Sequence, residues 1–215
     1  MAYHSEISNF TNWCENNKLN LNVSKTKELT INFSSLDPML DSLIIKDESV
    51  EIVNSYKYLG ITLKDNLNWS DHVDTVVNKA NKRLYLLRKL RSFNIDTTLL
   101  TLFYRATVET IFSFCISAWG GNSCAKDLSK IDHMIKRARK TCRNSILESV
   151  EDILDRVSLS RFQAILDPGI EHPLRDRFTF STRMNRVILP ITRTERYRCS
   201  FVPRVSRLIA NAFKR

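Results

Sequence analysis

The sequence predicts an α+β fold that is mainly α. A small antiparallel β hairpin region opens the chain, a basic helical bundle follows, and an irregular Arg-rich tail ends it. Three observations predict this. Short alternating apolar segments fill residues 19–63, and the apolar period becomes helical after Trp69. From Arg175 to Arg215, eleven basic residues stand against two acidic ones. The expected divisions are 1–64, 65–166 and 167–215.

Residues 4–17 have Ile7, Phe10, Trp13 and Cys14 at helical spacing, and Asn16-Asn17-Lys18 ends that helix. Leu19–Val23 alternates, Ser24–Lys27 turns, and Glu28–Phe33 reads as a half-buried strand. Leu43–Lys46 and Val50–Val53 flank Asp47-Glu48-Ser49 as a candidate hairpin. Tyr58–Leu63 is a fourth strand, with Gly60 where a bulge or close backbone approach would fit.

Ser70 is the expected N-cap of a helix whose stripe is Val73, Val76, Val77, Ala80, Leu84, Leu87 and Leu90. Asp96 caps a second helix running to Trp119. It is apolar on nearly every side, which predicts a central, buried position, and Gly120-Gly121 stops it. A third, about 125–142, buries Leu128, Ile131, Ile135 and Ala138. A fourth, about 149–166, ends at Pro168-Gly169. Beyond Pro173 the chain reads as irregular or short-stranded until a last helix from Val205.

The chain of 215 residues carries 33 Lys+Arg, 23 Asp+Glu and a net charge of +10, which makes nucleic acid or an anionic surface the first partner to consider. Residues 1–64 hold −2 of that balance, 65–145 hold +7 and 146–215 hold +5. A hydrophobic share of 43% with 4 Gly and 5 Pro excludes disordered and collagen-like chains.

The basic residues recur one helical turn apart: Lys79, Lys82, Arg83 and Lys89 on the first bundle helix, Lys130, Arg137 and Lys140 on the third. With Arg193, Arg196 and Arg198 of the tail, they suit the phosphates of RNA or DNA, through counterion release rather than base reading. The competing reading is the solvated face of ordinary amphipathic helices. Lys136–Lys140 resembles a nuclear-localisation cluster inside a helix.

Five scattered cysteines without a C-x-x-C pair point to a reducing, intracellular setting, cytoplasmic or nuclear. Cys115, Cys124, His133 and Cys142 recur every nine residues, but their apolar helical surroundings favour core thiols over zinc. His72-Val73-Asp74 matches the H-x-D half of an iron facial triad, with His133 or His172 as a distal partner. Its place at the start of an amphipathic helix favours hydrophilic first-turn residues instead. No metal site is expected.

Met1–Glu6 shows no secretory leader pattern. Ile111–Trp119, the longest apolar run, falls short of the roughly 20 residues of a bilayer span and is preceded by Arg105 and Glu109, so no membrane segment is expected. Neither G-x-G-x-x-G, a Walker loop nor an Asp-Asp dipeptide occurs.

Several segments together resemble the later part of non-LTR (LINE-type) retrotransposon reverse transcriptases. They are Trp13–Glu28 with its L-N-x-x-K-T run, Tyr56–Leu63, Leu67–His72, Lys82–Arg88, Ala118-Trp119-Gly120 and Arg193–Pro203. The resemblance implies that residues 1–64 are the end of a palm with a primer-grip-like hairpin at Tyr58, Leu59 and Gly60, and that the following helices are a thumb. It implies for Lys25 the role of general acid toward leaving pyrophosphate. The family binds two Mg²⁺ ions through aspartates, including an adjacent pair, in a segment upstream of the matching region.

The expectation is therefore a truncated, reverse-transcriptase-like fragment without polymerase activity or a cofactor, at most binding nucleic acid non-specifically. An inert structural remnant is the alternative. Strand edges missing their palm neighbours would favour self-association. Around Lys79–Thr98 the sequence is also similar to a helical segment at the amino end of AlkB homologue 8 proteins. That similarity implies dioxygenase or methyltransferase activity, but the segment contains no catalytic residue and the chain no methyl-donor loop.

Overall fold

The strands of the first third are short, from two to four residues each. The computed structural model describes residues 2–34, 43–144, 146–181 and 186–212, so Arg183, Lys214 and Arg215 of the basic tail lie outside the described residues. The chain divides into two compact units, Met1–Asn68 and Trp69–Arg215.

In the first unit, helix α1 spans Ala2–Asn16. Ile7 and Cys14, two turns apart, turn inward, but Phe10 and Trp13 do not join them. They stay about half exposed and stack on each other with ring centroids 6.1 Å apart. The small core holds Val23, Leu43, Ile45 and Val50, with Ile7 and Leu21 against it.

The expected strand Glu28–Phe33 is reduced to β1, Lys27–Glu28. It pairs in parallel with β4, Glu51–Ile52, after β2 (Ile44–Ile45) and β3 (Glu48–Ser49) have formed an antiparallel pair. Ile31 and Phe33 remain exposed, so no buried face extends the strand. The β2–β3 turn is Lys46-Asp47, with φ of 52° and 63°, and not Asp47–Ser49.

Tyr58–Leu63 is not one strand but a hairpin. Strands β5 (Ser55–Tyr58) and β6 (Ile61–Lys64) pair antiparallel across Leu59-Gly60, at φ 46° and 91°. Both turn residues are left-handed, as the right-handed twist of a two-residue hairpin demands. Gly60 thus serves a tight turn rather than a bulge.

In the second unit, α2 (Ser70–Ser92) buries His72, Val73, Val76, Ala80, Leu84 and Leu87, close to the expected stripe. Ser70 is the first helical residue rather than the cap, and its hydroxyl donates to Asp127 Oδ2 at 2.6 Å. Asp96 caps α3 (Thr97–Tyr104) as expected, its Oδ2 accepting from the Thr98 N–H at 2.7 Å.

The expected continuous, buried helix to Trp119 is broken and only one-sided in burial. A π turn follows at Arg105–Glu109, then α4 (Thr110–Ser113), a left-handed Cys115 at φ 49°, and α5 (Ile116–Trp119). Leu100, Tyr104, Val108, Phe112, Ile116 and Trp119 face the core, whereas Leu99, Leu102 and Phe114 stand more than half exposed. Neighbouring helices cover one side only: α2 throughout, with α6 and α7 toward its two ends. By length and composition, Thr97–Asn122 is the one stretch among the described residues sufficient to cross a membrane, since Arg105 and Glu109 are its only charges.

Helices α6 (Ala125–Cys142) and α7 (Val150–Leu166) fall where the sequence placed them. A reciprocal Ser149–Asp152 capping box opens α7. The tail becomes regular earlier than expected, in α8 (Glu195–Cys199) and α9 (Phe201–Ala212). Phe162 and Ile165 of α7 gather Phe178, Phe201, Val205 and Ile209 into a second apolar cluster that holds α9 on α7. Gly121 permits a close approach here, because a Cβ at that position would lie 2.2 Å from the Cys199 carbonyl oxygen.

Candidate nucleic-acid interface

Helices α2 and α6 lie side by side and run in the same direction. Ser70 meets Asp127, Asp74 meets Lys130, and Asn81 meets Arg137, at nearly constant sequence offsets of 57, 56 and 56. Such an offset arises only when two helices advance together. At the far end, the Arg91 guanidinium donates to the carbonyls of Lys140 (2.9 Å) and Thr141, closing the C-terminus of α6.

This seam divides the basic residues into two groups. Lys130 Nζ lies 2.5 Å from Asp74 Oδ1 and 2.9 Å from Asp127 Oδ1. Hydrogen bonds to Asp74 and then Asp127 hold its ammonium above the usual lysine value. Burial pushes the Asp127 carboxyl up, but hydrogen bonds from Ser70, Lys130 and Cys124 outweigh this and leave it lowered. Arg137 donates to Asn81 Oδ1 at 3.1 Å.

Arg198 grips Glu195 with two bonds of 2.7 and 2.6 Å, and this pairing leads the pull of the Glu195 carboxyl down to about 2. Lys130, Arg137 and Arg198, expected to meet phosphate, are therefore engaged within the protein. For Lys130 and Arg137, sequence spacing does not reveal that the partners lie within reach.

The second group is different. Lys79, Lys82, Arg83 and Lys89 are exposed on α2, and none makes an ion pair with the described residues. Three of them, Lys79, Lys82 and Arg83, line an open cleft of about 630 Å³ whose apolar wall is Leu86 and Ile111. That wall was missed in the sequence because Ile111 belongs to α4, 28 residues beyond Arg83. Lys140 is exposed in the last turn of α6. Arg193 and Arg196 are exposed before and within α8, an element that packs on α9 and Gly120–Asn122 rather than on α2.

Lys79 also touches the chemistry of His72. That side chain is 3% exposed, edge-on between Trp69 and Trp119 at 6.2 and 5.1 Å, so it belongs to the core and not to a hydrophilic first turn. Burial first, and the Lys79 charge second, lower its pKa. Asp74 of the same H-x-D faces Lys130.

Of the three expected core thiols, Cys142 is buried as expected, whereas Cys115 and Cys124 are exposed; Cys14 is buried and Cys199 half-buried. Among the described residues, no three His, Cys, Asp or Glu side chains group so as to hold a metal ion.

In the first unit, Lys25 is exposed in a 3-10 turn, Val23–Lys25, with its N–H donating to Asn22 Oδ1 at 3.0 Å. Tyr58, Leu59 and Gly60 form the exposed tip of the β5–β6 hairpin, and Leu59 is 75% exposed.

A mainly α chain whose basic α2 face makes no ion pair with the described residues is the class these features define. The family model described as "Alkylated DNA repair protein alkB homolog 8, N-terminal" matches residues 69–110. That is 42 of the 215 residues, covering α2, α3 and the π turn, including the whole Lys79–Lys89 row. No curated protein and no solved structure matches the chain.

Proposed function

We propose that the helical unit binds the sugar–phosphate backbone of RNA or DNA through α2, and that the chain descends from the palm end and thumb of a non-LTR reverse transcriptase. The observation that carries this reading is the cleft in which Lys79, Lys82 and Arg83 stand beside Leu86 and Ile111. Cations held free of carboxylates along one helix face suit a row of phosphates, whereas an ion-paired surface is already neutralised. The apolar wall suits the faces of sugars.

The β5–β6 hairpin supports the primer-grip-like reading of Tyr58, Leu59 and Gly60. A bulky Leu59 in the left-handed region is a costly turn residue, and such strain concentrates at functional sites. Lys25 is exposed and so accessible for the general-acid role that the resemblance implies. The sequence has no adjacent aspartates, and this reading assigns the chain binding without nucleotide addition. Exposed Tyr56, Tyr58 and Ile52 on two-stranded sheets favour self-association of the first unit.

The match at residues 69–110 favours a second reading, kinship with alkylated-DNA repair proteins. His72, buried between Trp69 and Trp119, and Asp74, paired with Lys130, do not fit an iron site, so this reading carries kinship without oxygenase chemistry.

Fluorescence anisotropy with labelled RNA and DNA tests the first reading. With three or four phosphate contacts, affinity for duplex DNA should fall about 40- to 150-fold between 50 and 200 mM salt. Absence of binding at the low salt concentration overturns the reading and leaves an inert remnant.

A further inference from the structure

We propose that the α2 face takes single-stranded nucleic acid in preference to duplex, with bases stacking on Tyr85 and Phe93; this rests on the backbone-binding reading above. Lys82, Tyr85, Lys89 and Phe93 follow one another at spacings of 3, 4 and 4, so cation and aromatic ring alternate along one helix face. Tyr85 is 53% exposed and Phe93 71% exposed. Neither ring packs against another aromatic ring of the described residues, and neither makes a hydrogen bond through its side chain there.

The surroundings of each ring are basic. Lys82 and Lys89 stand one turn before and one turn after Tyr85, and Arg88 is exposed at the third position beyond it. Asn81, the turn preceding Tyr85, is where Arg137 of α6 arrives. Phe93 ends the helix, and Asn94 at φ 57° turns the chain away, which leaves the ring on an open shoulder.

Eight residues of helix separate the rings by about 12 Å along the axis. Stacked bases of a duplex strand advance only about 3.4 Å. The two rings therefore match bases drawn apart from one another, whose faces are free. A duplex hides those faces in its own stack and offers α2 only phosphates. Alternating cations and aromatic platforms are the arrangement by which proteins hold single strands with little regard to sequence.

The test uses the full chain with a labelled oligothymidylate of about fifteen nucleotides and a duplex of equal length, in the same low-salt buffer. The wild-type chain should bind the single strand at least tenfold more tightly. Tyr85→Ala and Phe93→Ala should each lower single-strand affinity about tenfold, with duplex affinity and the salt slope unchanged. Tyr85→Phe should restore the affinity. Lys82→Gln should weaken both ligands and flatten the salt dependence. Equal wild-type affinity for the two ligands, or unchanged single-strand binding by both alanine variants, overturns the inference while leaving backbone binding intact. No binding of either ligand overturns the underlying reading itself.

Discussion

Lys130 Nζ stands 2.5 Å from Asp74 Oδ1, across the seam of two helices that run in the same direction. The contact takes a lysine that helical spacing places on a phosphate-binding row and assigns it to holding α6 on α2. Asp127, 3% exposed, depends on the same ammonium.

Lys130→Met should therefore lower the melting temperature by a few degrees, since Asp127 would keep only Ser70 and Cys124 as side-chain donors. Its nucleic-acid affinity should match the wild type. A calorimetric scan together with one binding titration checks both halves.

His72 gives the fold a pH dependence near neutrality. Its pKa is lowered by burial in the folded chain, so as pH falls below about 6.5 the unfolded state takes up a proton first. Stability should decline with acidification in that window, with a slope of at most about 1.4 kcal/mol per pH unit. His72→Gln should be less stable at pH 8 yet lack this slope. Chemical denaturation at pH 8, 6.5 and 5.5 measures it, and an identical slope in the variant would rule His72 out as the source.

Gly121 fixes the C-terminal segment by its lack of a side chain. A methyl group there would meet the Cys199 carbonyl oxygen at 2.2 Å, and backbone cannot swing aside as a side-chain end can. Gly121→Ala should cost about 1–3 kcal/mol and speed tryptic cleavage at Arg193, Arg196 and Arg198. Gly169→Ala is the control, since its nearest atom would be Asp167 Oδ1 at 3.4 Å. Limited proteolysis of the two variants in parallel separates local displacement from general instability.

Much of the helical unit was legible because its signals are local. Asp96 before an apolar run and the Val73–Leu87 stripe each fix an element with information a few residues wide. The breaks between Arg105 and Cys115 were not legible, since a π turn and a left-handed cysteine answer to what packs against the helix. The strands failed for a related reason. Leu59-Gly60 carries one recognisable turn residue, and a leucine at φ 46° runs against local preference.

The candidate site was half legible. Spacing pointed to Lys79, Lys82, Arg83 and Lys89, but it also gathered Lys130 and Arg137, whose partners Asp74 and Asn81 become visible only when helices are placed together, while the tail's Arg198 is held by Glu195 of its own helix. Leu86 and Ile111 carried no charge to mark them, and they are neighbours only because α4 lies against α2.

The central claim is that the free row, and not the paired one, meets nucleic acid. It is tested most directly by the salt slope of binding in two multiple variants. Changing Lys79, Lys82, Arg83 and Lys89 together to Gln should reduce the magnitude of the slope of log K against log salt by about 3–4. Changing Lys130 and Arg198, the two cations paired with carboxylates, to Gln should leave that slope as it is in the wild type. Equal losses in the two variants, or a larger loss in the second, would contradict the account.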